Sequence, residues 1–188
     1  MLMITIRKAR FEDLDFLVET DLLGDGYTID PEEPPLAGEA LAAHREKIAA
    51  FVGGAADCGW IAEDDRTGAK AGMILVRFRD LSHEADTEAN RFLLRFLDRA
   101  IFPADGRFCE VFQLWVAPLY RRQGIATRLK QQIEEEARQR GVQMIYTHTE
   151  AQNAHVIELN RKLGYEEVRC GPIWDAVPRT SLVKRLNT

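Results

Sequence analysis

Cysteine is scarce in this sequence and poorly placed for cross-linking. Only Cys58, Cys109 and Cys170 occur in 188 residues. They are odd in number and far apart, so neither a disulfide framework nor a zinc site is expected, and a reducing cytoplasm is the default compartment. A basic excess is also absent: 25 Lys+Arg stand against 30 Asp+Glu, a net charge of −5. That balance argues against a nucleic-acid partner. No apolar run approaches the length of a membrane span, and Met1-Leu2-Met3-Ile4-Thr5-Ile6-Arg7 is too short and too early charged for a signal peptide. The chain has no repeat, no low-complexity tract and no linker rich in Gly, Ser or Pro. It also lacks Gly-x-x-x-x-Gly-Lys-Ser/Thr, a Gly-x-Gly-x-x-Gly after a strand, His-Glu-x-x-His and Cys-x-x-Cys. Walker-type, Rossmann and metal-centred chemistry therefore lack their fingerprints.

What is present fits one soluble globular domain over 1–188, with 46% hydrophobic and 29% charged residues. Strand patterns fall at 4–9, 59–63, 72–78, 109–116, 142–148, 165–170 and 179–186. Helical patterns fall at 12–22, 38–52, 87–102, 122–140 and 152–162. Asp64-Asp65-Arg66-Thr67-Gly68 joins two strands as a hairpin turn. Phe92, Leu93, Phe96, Leu97 and Ile101 form an apolar stripe for core packing. His44 falls on the apolar face of the second helix and reads as a core or boundary histidine. Gly141 marks the end of the long helix. This order is not the regular βα alternation of a doubly wound fold, so a mixed sheet with flanking helices is expected.

The chemistry concentrates in Leu114-Trp115-Val116-Ala117-Pro118-Leu119-Tyr120-Arg121-Arg122-Gln123-Gly124-Ile125-Ala126-Thr127. A strand ends there, the chain turns, and a long helix begins. Free N–H groups and the positive end of the helix dipole suit a phosphate or pyrophosphate. Gly124 and the small Ala126 would let that anion approach the backbone, and Arg121 and Arg122 could add charge. Solvated arginines in a first helical turn would look the same.

Arg121-Arg122-Gln123-Gly124-Ile125-Ala126 resembles the (Gln/Arg)-x-x-Gly-x-(Gly/Ala) acyl-CoA signature of the GNAT superfamily of N-acetyltransferases. Downstream, Asn153-Ala154-His155-Val156-Ile157-Glu158-Leu159-Asn160-Arg161-Lys162-Leu163-Gly164-Tyr165 resembles that family's Asn…Leu-Tyr-x-Lys-x-Gly-Phe segment. The resemblance is specific over about 108–170 and implies a mixed α/β fold. Its sheet would be mostly antiparallel, with six to seven strands and one splayed parallel pair forming the CoA cleft. It implies acetyl-CoA as co-substrate, with no metal. Backbone groups of Leu114, Trp115 and Val116 would pair with pantetheine, and the N–H groups of residues 121–127 (Arg121, Arg122, Gln123, Gly124, Ile125, Ala126, Thr127) would hold the pyrophosphate. Asn153 matches the family Asn on the cofactor arm, and it also reads as a plain helix N-cap. Asn160 stands where the family often has a Tyr that protonates the leaving thiolate. It can donate a hydrogen bond but is no general acid, so either Asn160 only stabilises the developing thiolate, or the thiolate leaves unaided, or another donor such as Tyr146 takes the part. A CoA-binding module with little or no turnover is the competing reading. Dimers are common in the family, so a homodimer is a possible state by analogy.

The acceptor implied is a primary amine on a small molecule or peptide. Residues 11–44 hold ten acids and no Lys or Arg, a bias that favours a cationic amine or else is a solvated surface. Tyr27 and Trp174 are the candidate pocket aromatics. Glu110 lies eleven residues before Arg121, the position of the catalytic Glu in the histone-acetylating branch of the family. Period-two geometry sets it on one strand face with Phe112, Leu114 and Val116. That apolar setting would raise its pKa toward use as a general base; the alternative is a salt-bridged or strand-end carboxylate, with a water chain as the base, as in many members of the family it resembles.

Overall fold

The computed structural model describes residues 3–30, 34–82 and 87–186. The strands are β1 (Ile4–Lys8), β2 (Asp57–Asp64), β3 (Lys70–Asp80), β4 (Arg107–Val116), β5 (Met144–Glu150), β6 (Glu166–Pro172) and β7 (Pro178–Arg185). The helices are α1 (Leu14–Gly24), α2 (Gly38–Ala49), α3 (Glu88–Leu93), α4 (Ile125–Gln139) and α5 (Ala154–Lys162). The strands form a seven-stranded sheet of order β1-β2-β3-β4-β5-β7-β6. It is mostly antiparallel. The β4–β5 pair is parallel, and its register covers Cys109 opposite Ile145 and Glu110 opposite Tyr146. This is the mixed α/β architecture expected from the order of elements.

The chain divides into two compact units, Met1–Arg77 with Phe112–Gln132 and Phe78–Val111 with Ile133–Thr188. In the first, α1 and α2 bury Leu17, Val18, Leu22, Ile48 and Phe51 with Ile61, Met73 and Leu75 of the strands. The β2–β3 hairpin forms as expected. Its turn closes through Gly68 N–H to the Asp64 carbonyl (2.7 Å), and Gly68 takes the positive φ of +70° that the turn needs.

In the second unit, Leu93, Leu97, Phe102, Phe108, Met144, Tyr146 and Val183 pack as one cluster. Here the helix expected over 87–102 departs from the sequence reading. Thr87 caps α3 by accepting the Asn90 N–H, and the helix ends at Leu93. Asp98 then caps a separate 3₁₀ turn (Arg99–Ile101) by accepting the Ala100 N–H at 2.8 Å. Asp98 is extended, which breaks the helix between the two caps. The long helix expected from 122 starts at Ile125, because Arg122 (φ 62°) and Gly124 (φ 78°) hold left-handed conformations that no α-helix contains. Its end is as expected: Gly141 (φ 66°) and the Val142 N–H to Ala137 carbonyl bond (2.8 Å) close it.

Candidate active site

In the first unit the end of β4 runs against the start of β3. The Ala117 N–H bonds the Ala71 carbonyl at 2.9 Å. A Cβ on Gly72 would lie 2.8 Å from the Trp115 carbonyl oxygen, so only glycine allows this approach. Leu114, Trp115 and Val116 are half-buried. Pro118–Tyr120 form a 3₁₀ turn, anchored where the Tyr120 hydroxyl donates to Asp64 Oδ2 at 3.1 Å. Arg121 Nε bonds the Val116 carbonyl (3.0 Å), and Gln123 Nε2 bonds the Leu119 carbonyl (3.1 Å). Both side chains thus brace the turn.

Left-handed residues in a turn are typical of anion-binding nests. A non-glycine residue there, such as Arg122, costs about 1–2 kcal/mol, strain that persists where function uses it. The N–H groups of Ile125, Ala126 and Thr127 begin α4 and have no acceptor within the helix. Residues 121–124 are exposed, and a Cβ on Gly124 would meet nothing within 4 Å. Strain, free donors and open space make this turn fit a diphosphate.

Glu110 lies in the second unit, and its setting is not the apolar one expected. Arg79 Nη1 donates to its Oε2 at 2.8 Å, while Arg79 Nη2 bonds Asn90 Oδ1 at 2.8 Å. Asn90 Nδ2 in turn bonds the Asp80 carbonyl at 2.5 Å. Beside Glu110, Tyr146 is buried with its hydroxyl 3.3 Å from Ser181 Oγ. Burial pushes that phenol up to about 12 despite the Ser181 bond. His148 follows on the same strand face. Burial pushes its pKa down, the Glu110 charge opposing and Arg179 adding to the shift. Its buried Nδ1 has no hydrogen-bond partner among the described residues. The His148 ring meets the edge of Trp174, centroids 5.0 Å apart.

Asn153 caps α5, its side chain accepting the Val156 N–H at 3.4 Å, and is exposed. Asn160 is buried. One Nδ2 hydrogen goes to the Val156 carbonyl at 2.9 Å, and Oδ1 has no hydrogen-bond partner among the described residues. Tyr27 lies in the first unit just after α1 and is exposed. Four acids of the 11–44 run lie against bases outside it: Glu12 against Arg10, Asp13 against Arg7 and Lys70, Asp15 against Arg45, and Asp21 against Lys47. Glu32 and Glu33 lie outside the described residues. The structure thus joins Glu110, Tyr146 and His148 in one unit, and Leu114–Val116 and Arg121–Thr127 in the other. Sequence reading missed Arg79, His148 and Arg179. For His148 the signal was its period-two spacing from Tyr146; the two arginines gave none.

Residues 21–165 match the model of the acetyltransferase (GNAT) family. The chain belongs to that family. As a member it is an N-acetyltransferase, an enzyme that takes its acetyl group from acetyl-CoA. No curated protein sequence matches the acetyltransferase. Among solved structures it is similar to Arabidopsis thaliana NAA60 in complex with acetyl-CoA, at 20% identity and TM-score 0.71, covering 99% of this chain and 100% of that one. It is also similar to the ribosomal-protein-S18-alanine N-acetyltransferase of Escherichia coli (16% identity, TM-score 0.64, 99% and 96% covered). A third is the spermidine/spermine N-acetyltransferase SpeG of Vibrio cholerae (15%, 0.62, 97% and 92%). At these identities the likeness is one of fold. The signature residues Arg121–Ala126 lie inside the matched span, as do Glu110, Asn153 and Asn160.

Proposed function

We propose that the acetyltransferase acylates a primary amine of a small molecule or peptide by direct attack on the acetyl-CoA thioester. The observation that carries the cofactor half is the strained turn at Arg122 and Gly124, with free N–H groups behind it and open space before it. It would hold the diphosphate, with Arg121 and Arg122 adding charge and the backbone of Leu114–Val116 receiving the pantetheine arm. Asn153 would contact that arm while it caps α5.

An alkylammonium near pKa 10.4, the ordinary value for Lys, is almost wholly protonated at neutral pH and cannot attack. Glu110 takes the proton, held in place by Arg79. A specific observation favours His148 as the rival base: burial disfavours its charged form, and its Nδ1 has no hydrogen-bond partner among the described residues. Asn160 retains one Nδ2 hydrogen for the leaving thiolate. Tyr27 and Trp174 are assigned to acceptor binding.

Release of free CoA thiol on mixing acetyl-CoA with a panel of amines tests the reading. The panel should span polyamines, aminoglycosides, amino-acid amides and peptide N-termini. Thiol release with at least one amine supports it. Silence across the panel, with acetyl-CoA bound, overturns it.

A further inference from the structure

The tip of the β6–β7 hairpin is held by more polar bonds than a turn requires. Arg179 opens β7 with its side chain only 9% exposed. Its two terminal nitrogens fork onto both oxygens of Asp175, Nη2 to Oδ2 at 2.9 Å, and Nη1 also bonds the Val177 carbonyl at 3.0 Å. Asp175 Oδ1 takes the Val177 N–H as well, at 2.9 Å. On the other strand, Arg169 bonds the carbonyls of Gly171 (3.1 Å) and Pro172 (2.6 Å). Trp174 lies between Arg169 and Arg179 in the sequence, and the Arg179 brace touches it.

The Trp174 ring is fixed from two sides. The Arg179 guanidinium lies over its face, 4.0 Å from the centroid, and His148 meets it edge-on. Yet Trp174 remains 54% exposed, and Val177 beside it 36%. A planar fork that binds a carboxylate at its edge and an aromatic ring on its face is a task for Arg that Lys cannot perform. Burying that guanidinium is costly unless it is paired, and the pair confers a fixed geometry more than stability. What the clamp fixes is the ring. Asp175 and Arg179 neutralise each other, and the exposed side chains beside them at the tip, Trp174 and Val177, are apolar.

We infer that Asp175 and Arg179 are positioning residues that hold Trp174 as an apolar wall for the acceptor, and that the preferred acceptor carries an apolar group next to its amine. This rests on the proposed role of Trp174 in acceptor binding. Fixing the ring beforehand removes the ordering cost that a mobile Trp would add to each binding event. The wall therefore acts on acceptor affinity, through the group beside the reacting nitrogen.

Leucinamide and glycinamide share one kind of amine and differ in that group, so their kcat/KM ratio reads the wall. The wild type is expected to favour leucinamide by about tenfold, the scale of a small apolar contact in a pocket. Trp174→Ala, Arg179→Gln and Asp175→Asn should each pull the ratio toward one. The loss should fall on the KM of leucinamide, with the KM of acetyl-CoA unmoved. If the arginine acts through the ring, Arg179→Gln adds nothing to the ratio once Trp174→Ala is present. Should Arg179→Gln fail to fold, Asp175→Asn frees the guanidinium without removing it and decides the point. Acetylation of neither amine, nor of any other amine in the panel, overturns the proposed function and this inference together. Turnover with a ratio near one, or a ratio that survives Trp174→Ala, overturns the wall alone. A ratio lowered by Trp174→Ala but kept by folded Arg179→Gln and Asp175→Asn overturns the positioning role.

Discussion

The guanidinium of Arg79 grips the carboxylate of Glu110 at 2.8 Å, with the two side chains only 14% and 12% exposed. A carboxylate held this way has a fixed position, and the proposed role of Glu110 can be tested apart from its packing. Glu110→Gln takes away the proposed proton acceptor, so kcat at neutral pH should fall by about 10²-fold or more. It should recover in part at high pH as free amine accumulates, while acetyl-CoA affinity holds. Arg79→Met leaves a buried carboxylate alone and should cost about 3 kcal/mol of stability. A pH–rate profile and thermal unfolding check the two separately. Wild-type kcat for Glu110→Gln across pH would pass the role of base to His148.

Gly124 tests the proposed diphosphate site. Its φ of +78° means that any side chain strains the turn, although a Cβ there would meet no protein atom within 4 Å. Gly124→Val should therefore leave a folded protein, destabilised by about 1–2 kcal/mol. The added methyls would stand in the open space before the turn. Acetyl-CoA affinity by calorimetry is expected to fall at least about tenfold, a loss near 1.4 kcal/mol. Unchanged affinity in a folded variant would place the diphosphate elsewhere.

Local features of the sequence translated into structure where the chain's own neighbours decide them. The β2–β3 turn, the stop at Gly141 and the strand–turn–helix around Arg121–Ala126 all depend on residues a few positions apart. The stripe at Phe92–Ile101 reported burial rather than helix. Leu93 and Leu97 are buried as the period implied, but Asp98 starts a new turn and the chain reaches the core without a continuous helix. Partners of charged groups were the illegible part. Arg79 meets Glu110 across 31 positions and Arg7 meets Glu63 across 56, so strand register brings them together. Alternation along β4 told which face Glu110 occupies but not that a guanidinium waits there.

Asp13 ties two strands, β1 and β3, to the entry of α1, and its proton should set the acid limit of stability. Its fully buried carboxylate accepts from Arg7 (2.7 Å), Lys70 (3.1 Å) and the Arg10 N–H (2.8 Å). Burial alone would raise its pKa, but these donors outweigh burial and bring it from 3.8 down to about 2. A depressed carboxyl pKa adds stability that is complete above the ordinary value of 3.8 and is lost as pH falls through about 2. Asp13→Asn should cost about 3 kcal/mol at pH 7, because Arg7 loses a buried partner. Urea unfolding should show the gap between wild type and variant closing at pH 2 and below. A constant gap would mean that the contribution is packing and not charge.

Asp21 gives the opposite sign. It sits buried on α1 with Oδ2 3.5 Å from His44 Nε2 and 3.8 Å from Lys47 Nζ, both on α2. Neither approach is a hydrogen bond: Asp21 Oδ2 and His44 Nε2 are both buried without a hydrogen-bond partner among the described residues. Burial pushes the Asp21 pKa up, with Asp25 adding, while Lys47, His44 and Arg77 pull the other way without prevailing. A raised carboxyl pKa means that the folded state holds its proton more tightly than the unfolded chain. The associated stability is therefore full below 3.8 and is lost as pH rises through the folded-state pKa. Asp21→Asn keeps the shape and never ionises, so it should unfold at a higher temperature than wild type at pH 7 and at the same temperature at pH 3. Its amide can also donate, which gives the neighbouring His44 nitrogen no new clash to resolve when that nitrogen is an acceptor. Thermal unfolding of both proteins from pH 3 to 7 decides the sign. A variant less stable than wild type at pH 7 would show that the charges of Lys47, His44 and Arg77 outweigh the cost of burying the carboxylate.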